Sequence, residues 1–536
     1  MSGTVIGALN AADLAVILVS LLVVVVTGMW VSRKSPDTTE GYFLGGRSMP
    51  WWIIGPSFVA TSISSEQMVG TIGMTYLWGM GIANWEWFSI PVYTVLLVFF
   101  LPVLLKSRIT TVPEYYRRRF GPLCGDIYTW VMLIAYVFLF TVTVLYSGSL
   151  AFAEITGWNF YAVLWLMVMC VGAYTIRGGM TSVMWTNLLQ CVMLLGGGTL
   201  LFFLALRQIP GGWSAMVEAN PERFHLYLPA DDPKAPFLAM IAASVGVFLF
   251  YQVGNQYMIQ RILSARTTWD GLMGLLFSGF INFLRPLTTS FLGLVVFYWI
   301  YSMHRAEPLE NPDTTFPFAL KVFAGGWGLR GLILAGFLAA VMSTLSSLIN
   351  STATIFALDV YHKKIDSKAE EAVLVRVGQI AALVALVISA LLTPGVYYLG
   401  GIFTFFQTGI TYLASPFIAV FLMGILWKRT NYAAAVAGMV GGLALQIAIA
   451  VGAPFLGFNL HWIYLAFVGQ ALTMAGVAVV TVLTPDSARG ETADLVWKLS
   501  LLDQYDDGVQ RPWYQQLKLW FVVWVSVWLL LYYIFW

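Results

Sequence analysis

Charge is what this sequence has least of. Only 10% of its 536 residues are Asp, Glu, Lys or Arg, against about 25% in a soluble domain. A solvated globular domain of this length is therefore excluded, and with 59% hydrophobic residues the chain reads as a polytopic membrane protein. Cysteine is nearly absent: Cys124, Cys170 and Cys191 have neither metal-ligand nor disulfide-framework spacing and read as packing residues. His225, His304, His362 and His461 are scattered through loops and helix ends, which leaves no metal cluster and no nucleophile triad in view. Phosphate-binding loops are missing too, since "GGGTL" at 196–200 and "GGIF" at 400–403 read as helix-packing glycines. The longest polar stretch is about thirty residues, too short for a soluble catalytic or nucleotide-binding domain. Transport powered by ATP within this chain is excluded, and no enzyme is expected.

Apolar runs of membrane length are what the sequence has instead. A hydrocarbon core ~30 Å thick takes about 20 apolar residues per helix. Fourteen such runs occur, at 12–32, 50–77, 79–105, 126–155, 158–176, 183–206, 236–260, 272–303, 327–358, 371–393, 396–427, 431–452, 461–484 and 516–536. Barrel strands would be ~10 residues of alternating polarity, a pattern not seen, so the predicted fold is all-α with about 14 transmembrane helices. No cleavable leader is read before 12–32, which is expected to remain as a span. Of the 28 Lys and Arg, 21 fall in odd-to-even loops, from Arg33 and Lys34 through Arg117, Arg118, Arg119 and Arg261 to Lys518. Cytoplasmic loops are the positive ones, which predicts a plasma (inner) membrane protein with both termini outside. "YRRR" at 116–119 reads as a cytoplasmic collar, with no nucleic-acid partner.

Residues 56–70, "PSFVATSISSEQMVG", place Ser57, Thr61, Ser62, Ser64, Ser65, Glu66 and Gln67 inside the second run. Polar groups in hydrocarbon must face the protein interior or a wet cavity, so such an island marks a pathway or a binding site. With Pro56 ahead of it, the pattern is that of a helix interrupted near the midplane, where unwound carbonyls can coordinate a cation. Hydroxyls bonding back to the i−4 carbonyl are the bland alternative. A second island, "AVMSTLSSLINSTAT" at 340–354, is expected to interrupt its helix with Ser343, Thr344, Ser346, Ser347, Asn350, Ser351 and Thr352. Two islands on separate spans suggest one shared site. Hydroxyls and carbonyls suit sodium, a hard cation wanting several oxygens; Glu66 and Glu86 keep proton coupling open as an alternative.

The chain resembles the sodium/solute symporter family, in its sodium/glucose and sodium/galactose transporter branch, over nearly its whole length. The motifs are "GYFLGGRSMPWW" at 41–52, "ISSEQMVG" at 63–70, "NWEWFS" at 84–89, "TVPEYYRRRFG" at 111–121, "YTIRGGMTSVMWTN" at 174–187, "NQYMIQR" at 255–261, "STLSSLINSTATIFALDVY" at 343–361 and "PWYQQLKLWF" at 512–521. The resemblance implies two inverted five-helix repeats, 50–206 and 236–427, the first helix of each broken. An extra helix and loop at 1–49 precede them, and peripheral helices at 428–536 follow. It implies a sodium site on the backbone carbonyls of Ala60, Ile63 and Ala340 and the hydroxyls of Ser343 and Thr344. It implies a solute site on Gln67, Glu86, Ser89 and Gln407, with Tyr251 closing the inner side. Such groups can satisfy sugar hydroxyls and lie against a sugar's apolar face; Tyr251 and Gln407 taken singly also fit interhelical hydrogen bonds.

Four positions depart from that branch: Ser62 and Phe248 stand where it has asparagine, Asn282 where it has lysine, and Gln252 where it has tryptophan. Solute recognition is rebuilt here, with Ser62 and Asn282 kept as candidate contacts. Arg285, one turn beyond Asn282, lies too deep in an apolar run to snorkel, and is expected to pair with Glu66 or Glu86 or to meet an anionic solute. Asn187 stands where family members with a second sodium have aspartate, which predicts one sodium per solute. The expectation is a monomeric symporter that couples Na+ entry to import of a small polar solute by alternating access. A sugar or polyol is the first choice of solute and an organic acid, uronate or sialic acid the second. A channel would share the pore without the coupling, and a sensor would need a signalling domain that the loops do not hold.

Overall fold

Breaks in helices, more than the helices themselves, position the site. In the computed structural model, residues 9–33, 38–232, 236–305, 307–399, 402–455, 457, 460–485, 494–505, 509 and 511–536 are described. Ten helices among them are long and apolar enough to cross a membrane, or eleven with the bent pair Phe237–Val245 and Val247–Gly254 counted as one span. No strand occurs among the described residues beyond an isolated bridge between Met49 and Ala265. The chain is all-α, and among the described residues the continuous helices of membrane length number fewer than the fourteen expected runs because several runs are broken or kinked. Trp51–Ser62 and Ser65–Trp78 are separate helices, each short of a bilayer. The runs at 158–176 and 183–206 are two helices within Phe160–Arg207 that meet at a kink at Gly179. Within Ile402–Leu426, Tyr412–Leu426 ranks only as a shorter apolar helix. The turn at Gly179 needs glycine twice over: its φ is +53°, and a Cβ would stand 2.3 Å from the Tyr42 carbonyl oxygen.

The first polar island breaks its helix as expected. Ile63 (φ −108°, ψ 115°) and Ser64 (φ −116°, ψ 179°) are extended, which strips the carbonyls of the preceding turn of their helical donors. The second island does not. Leu329–Ile355 runs unbroken and buried, and several of its hydroxyls return to carbonyls three or four residues back: Ser346 to Ser343 at 3.0 Å, Thr352 to Leu348 at 2.8 Å and Thr354 to Asn350 at 2.8 Å. Local back-bonding of this kind lets a polar stripe persist without unwinding. A second interruption lies elsewhere, where the 46° bend at Gly246 is followed by an extended Asn255 (φ −98°, ψ 119°) before the helix Gln256–Leu263.

The span Leu329–Ile365 is the centre of the bundle, buried over most of its length, whereas Leu517–Phe535 is peripheral and largely exposed. The basic collar is partly structural. Arg119 is buried and donates to the carbonyls of Gly424 (3.1 Å), Trp427 (3.1 Å) and Lys428 (3.0 Å), at the C-terminal end of Ile402–Leu426, where a cation complements the helix dipole. In "GGGTL", Gly197 and Gly198 pack against Ile333 and Thr288, while Gly196 faces nothing. Gly400 and Gly401 lie outside the described residues.

Candidate ion cradle and solute cavity

At the Ile63–Ser64 break the first and second polar islands meet. Ser343 Oγ lies 2.7 Å from the Ala60 carbonyl and 2.8 Å from that of Ala340. Thr344 Oγ1 lies 3.1 Å from the Thr61 carbonyl, 3.4 Å from Ile63 and 3.3 Å from Ala340. All five residues that the resemblance assigns to sodium, Ala60, Ile63, Ala340, Ser343 and Thr344, are thus brought together, and all are buried. The cluster offers neutral oxygens alone, the donor set suited to a hard monovalent cation. Among the described residues no group of three or more His, Cys, Asp or Glu could hold a metal ion.

A cavity adjoins the break, and it gathers seven of the eight expected solute residues: Ser62, Gln67, Glu86, Ser89, Tyr251, Asn282 and Arg285. The eighth, Gln407, has a side chain outside the described residues, as does Glu66. Two of the departing positions, Phe248 and Gln252, line the same cavity. Sequence reasoning missed Trp85 and Trp462, whose rings lie 27° from parallel at 6.0 Å, with Phe248 at 5.3 Å from Trp85. Trp85 was within reach, since it sits between Asn84 and Glu86 in a quoted motif; nothing in the sequence singles out Trp462.

Arg285 meets one of the two carboxylates expected of it, Glu86. Its Nε pairs with Glu86 Oε2, its Nη1 donates to Ser62 Oγ at 3.1 Å, and its Nη2 donates to the Ser62 carbonyl at 3.1 Å and to Gln67 Oε1 at 2.5 Å. Thr289 Oγ1 donates to the other Glu86 oxygen at 3.1 Å. The guanidinium is therefore neutralised within the protein, and one of its contacts is the carbonyl between Thr61 and Ile63. Meanwhile Ser89 Oγ, Asn282 Oδ1 and Gln252 Oε1 have no hydrogen-bond partner among the described residues. Buried polar atoms without partners are costly, and these three line the cavity with hydrogen-bonding capacity unused.

One turn along the central helix from Ser343 is a second polar cluster. Asn187 Nδ2 donates to Thr61 Oγ1 at 2.9 Å, Ser57 Oγ at 3.3 Å and Ser347 Oγ at 3.4 Å. Arg261, expected in a cytoplasmic loop, is instead 1% exposed, with its guanidinium on Ser347 Oγ. It makes no ion pair among the described residues. The sequence misleads here because the charge falls just past an apolar run, while the Asn255 break carries Gln256–Leu263 back into the bundle.

Cradle and cavity adjoin at one broken helix, where Ser62 of the cavity wall precedes Ile63 of the cradle, the arrangement that a carrier coupling a cation to a solute needs. The comparisons put that carrier in a family: the model of the sodium:solute symporter family matches residues 42–442, and the chain belongs to it. It is a sodium-coupled solute symporter, with Na+ as the co-transported ion. It is 32% identical over 500 residues to a sodium/glucose cotransporter of Vibrio parahaemolyticus, covering 88% of this chain and 91% of that one. It is 28% identical to sodium/glucose cotransporter 1 of Oryctolagus cuniculus, covering 91% and 81%. The fold matches a substrate-bound, outward-open Na+-coupled sialic acid symporter with a TM-score of 0.80 at 21% identity, over 89% of this chain and 98% of that one.

Proposed function

We propose that the chain imports a neutral, hydroxyl-rich solute, a sugar or polyol, together with sodium. The observation that carries this reading is that Arg285 is engaged by Glu86, Ser62 and Gln67 while Ser89, Asn282 and Gln252 hold unpartnered polar atoms beside aromatic rings. An anionic solute would have to displace Glu86 from a buried pair, whereas a sugar fits polar edge and ring face without rearranging charge. The sodium/glucose cotransporters among the relatives agree with it. The second reading, an acidic solute, is favoured by the presence of Arg285 in the cavity and by the sialic acid symporter of like fold.

In this reading sodium takes the carbonyls of Ala60, Ile63 and Ala340 and the hydroxyls of Ser343 and Thr344. It clamps the broken helix to the central one in the outward-facing state, the solute binds, the outer side closes, and sodium loss to the cytoplasm releases both. One charge crossing 100 mV gains about 2.3 kcal/mol, enough for a solute gradient of some tens-fold at about 1.4 kcal/mol per tenfold. The two five-span repeats, 50–206 and 236–427, supply the moving halves of a monomer. The basic loops support a plasma-membrane orientation with both termini outside. The test is uptake into proteoliposomes with an inward sodium gradient, comparing labelled hexoses and polyols with uronates and sialic acids. Uphill uptake of a neutral solute is expected; uptake of acids alone would overturn the reading.

A further inference from the structure

We propose that the peripheral helix Leu517–Phe535 is the backing of the solute site, and that Tyr532 and Asn84 are positioning residues for Glu86. This rests on the reading of the cavity as the solute site. The stretch 84–93 has two faces. Trp85, Glu86, Ser89 and Val92 line the cavity, while Asn84, Trp87, Phe88 and Tyr93 turn the other way, onto the last helix. There Tyr532 donates to Asn84 Oδ1 at 2.5 Å, and Phe88 lies 6.3 Å from Trp528 and 6.1 Å from Tyr532. Trp87 faces Phe535 at 6.4 Å, and Tyr93 stacks on Trp524 at 6.0 Å.

The four contacting positions, 524, 528, 532 and 535, fall on one helical face. Only Trp524 and Tyr532 are buried in the whole helix, so this stripe is its attachment. The stripe also touches the helix that carries the partner of Glu86. Trp524 packs on Gly279, where a Cβ would come within 2.5 Å of the indole, in the helix Thr268–Thr289 that carries Asn282 and Arg285. Asn282 Nδ2 in turn donates to the Tyr93 hydroxyl at 3.1 Å. Asn84 completes the link by donating to the Leu226 carbonyl at 2.7 Å, next to the 2.7 Å bond from Leu226 N–H to the Phe535 carbonyl. One lipid-facing helix thus buttresses, from behind, both spans that hold the Glu86–Arg285 pair. Packing alone would need apolar contact only; the buried Tyr532–Asn84 bond, two residues from Glu86, fixes a rotation.

Tyr532→Phe keeps the ring and removes the bond. It is expected to raise KM for the transported solute about 3- to 10-fold, the worth of one hydrogen bond, with maximal rate and sodium activation unchanged. Leu529→Ala, on the exposed side of the same helix, is expected to change nothing. A readout independent of the solute is thiol labelling of Ser89→Cys in the cavity, whose rate is expected to shift with Tyr532→Phe and not with Leu529→Ala. Should Tyr532→Phe not reach the membrane, Trp528→Phe thins the same contact and takes its place. An unchanged labelling rate overturns the inference whether or not a neutral solute is carried. A shifted rate in a protein that carries no neutral solute supports it and removes only the sugar reading.

Discussion

Arg285 and Glu86 form an ion pair with side chains 6% and 0% exposed, on different spans, in the wall of the solute cavity. The same guanidinium holds the Ser62 carbonyl at 3.1 Å, between two carbonyls that face Thr344. The cavity and the proposed ion cradle therefore meet at consecutive residues, and Arg285 holds the backbone of the break itself.

Removing one partner of a buried pair leaves an uncompensated charge, at about 3–5 kcal/mol. Glu86→Gln is therefore expected to lower the melting temperature in detergent and the amount of inserted protein. Glu86→Gln combined with Arg285→Gln is expected to recover most of that loss. Arg285→Gln, which leaves Glu86 unpaired, is expected to lower melting in the same way, and an acidic substrate would show itself by a loss of uptake that the double variant does not recover. Melting curves of the three variants, with uptake of a neutral solute, separate the cases.

Ser343 and Thr344 bridge the broken helix to the central one through hydroxyls alone. Contacts to a charged group contribute about 1.5–3 kcal/mol, so Ser343→Ala and Thr344→Ala are each expected to raise the sodium concentration for half-maximal uptake about tenfold or more. Insertion is expected to survive, since no charge is left unpaired. Sodium titration of uptake is the check, and unchanged activation in both variants would place the ion elsewhere.

Much of this arrangement is legible in the sequence, for a physical reason. Hydroxyls, a glutamate and an arginine cannot sit in hydrocarbon without a purpose, so the islands at 56–70 and 340–354 and the lone Arg285 stand out against apolar neighbours. What those residues do to the backbone is less legible. Several hydroxyls at 343–354 are satisfied within the helix, while Ser351 donates to Gln260 Oε1 at 2.7 Å; at 61–64 the chain opens instead. Thr61 and Ser62 also back-bond, to Ser57 and Val59 at 2.8 Å each, so local bonding does not decide between the two outcomes. Trp462 and Tyr532 were illegible because their meaning comes from which distant span they meet.

The final prediction concerns the ion count. Thr61, Asn187 and Ser347 form a polar cluster next to the proposed sodium cradle, the place where a second cation would have to bind. A cation is already there: Arg261 is buried against Ser347 Oγ, with no ion pair among the described residues. Asn187 contributes no negative charge, so a second sodium would have to be dehydrated beside a guanidinium, with only neutral oxygens as compensation. One sodium per solute is expected, seen as a Hill coefficient near one and a single charge moved per neutral solute. Asn187→Asp is expected to leave the coefficient near one, because the new carboxylate would face Arg261 across Ser347 and be neutralised there. Only Asn187→Asp combined with Arg261→Gln frees a carboxylate for an ion, and it is the variant in which the coefficient is expected to rise. Two charges per neutral solute in the unaltered protein would mean that Arg261 leaves Ser347 during the cycle and that hydroxyls alone hold the second sodium.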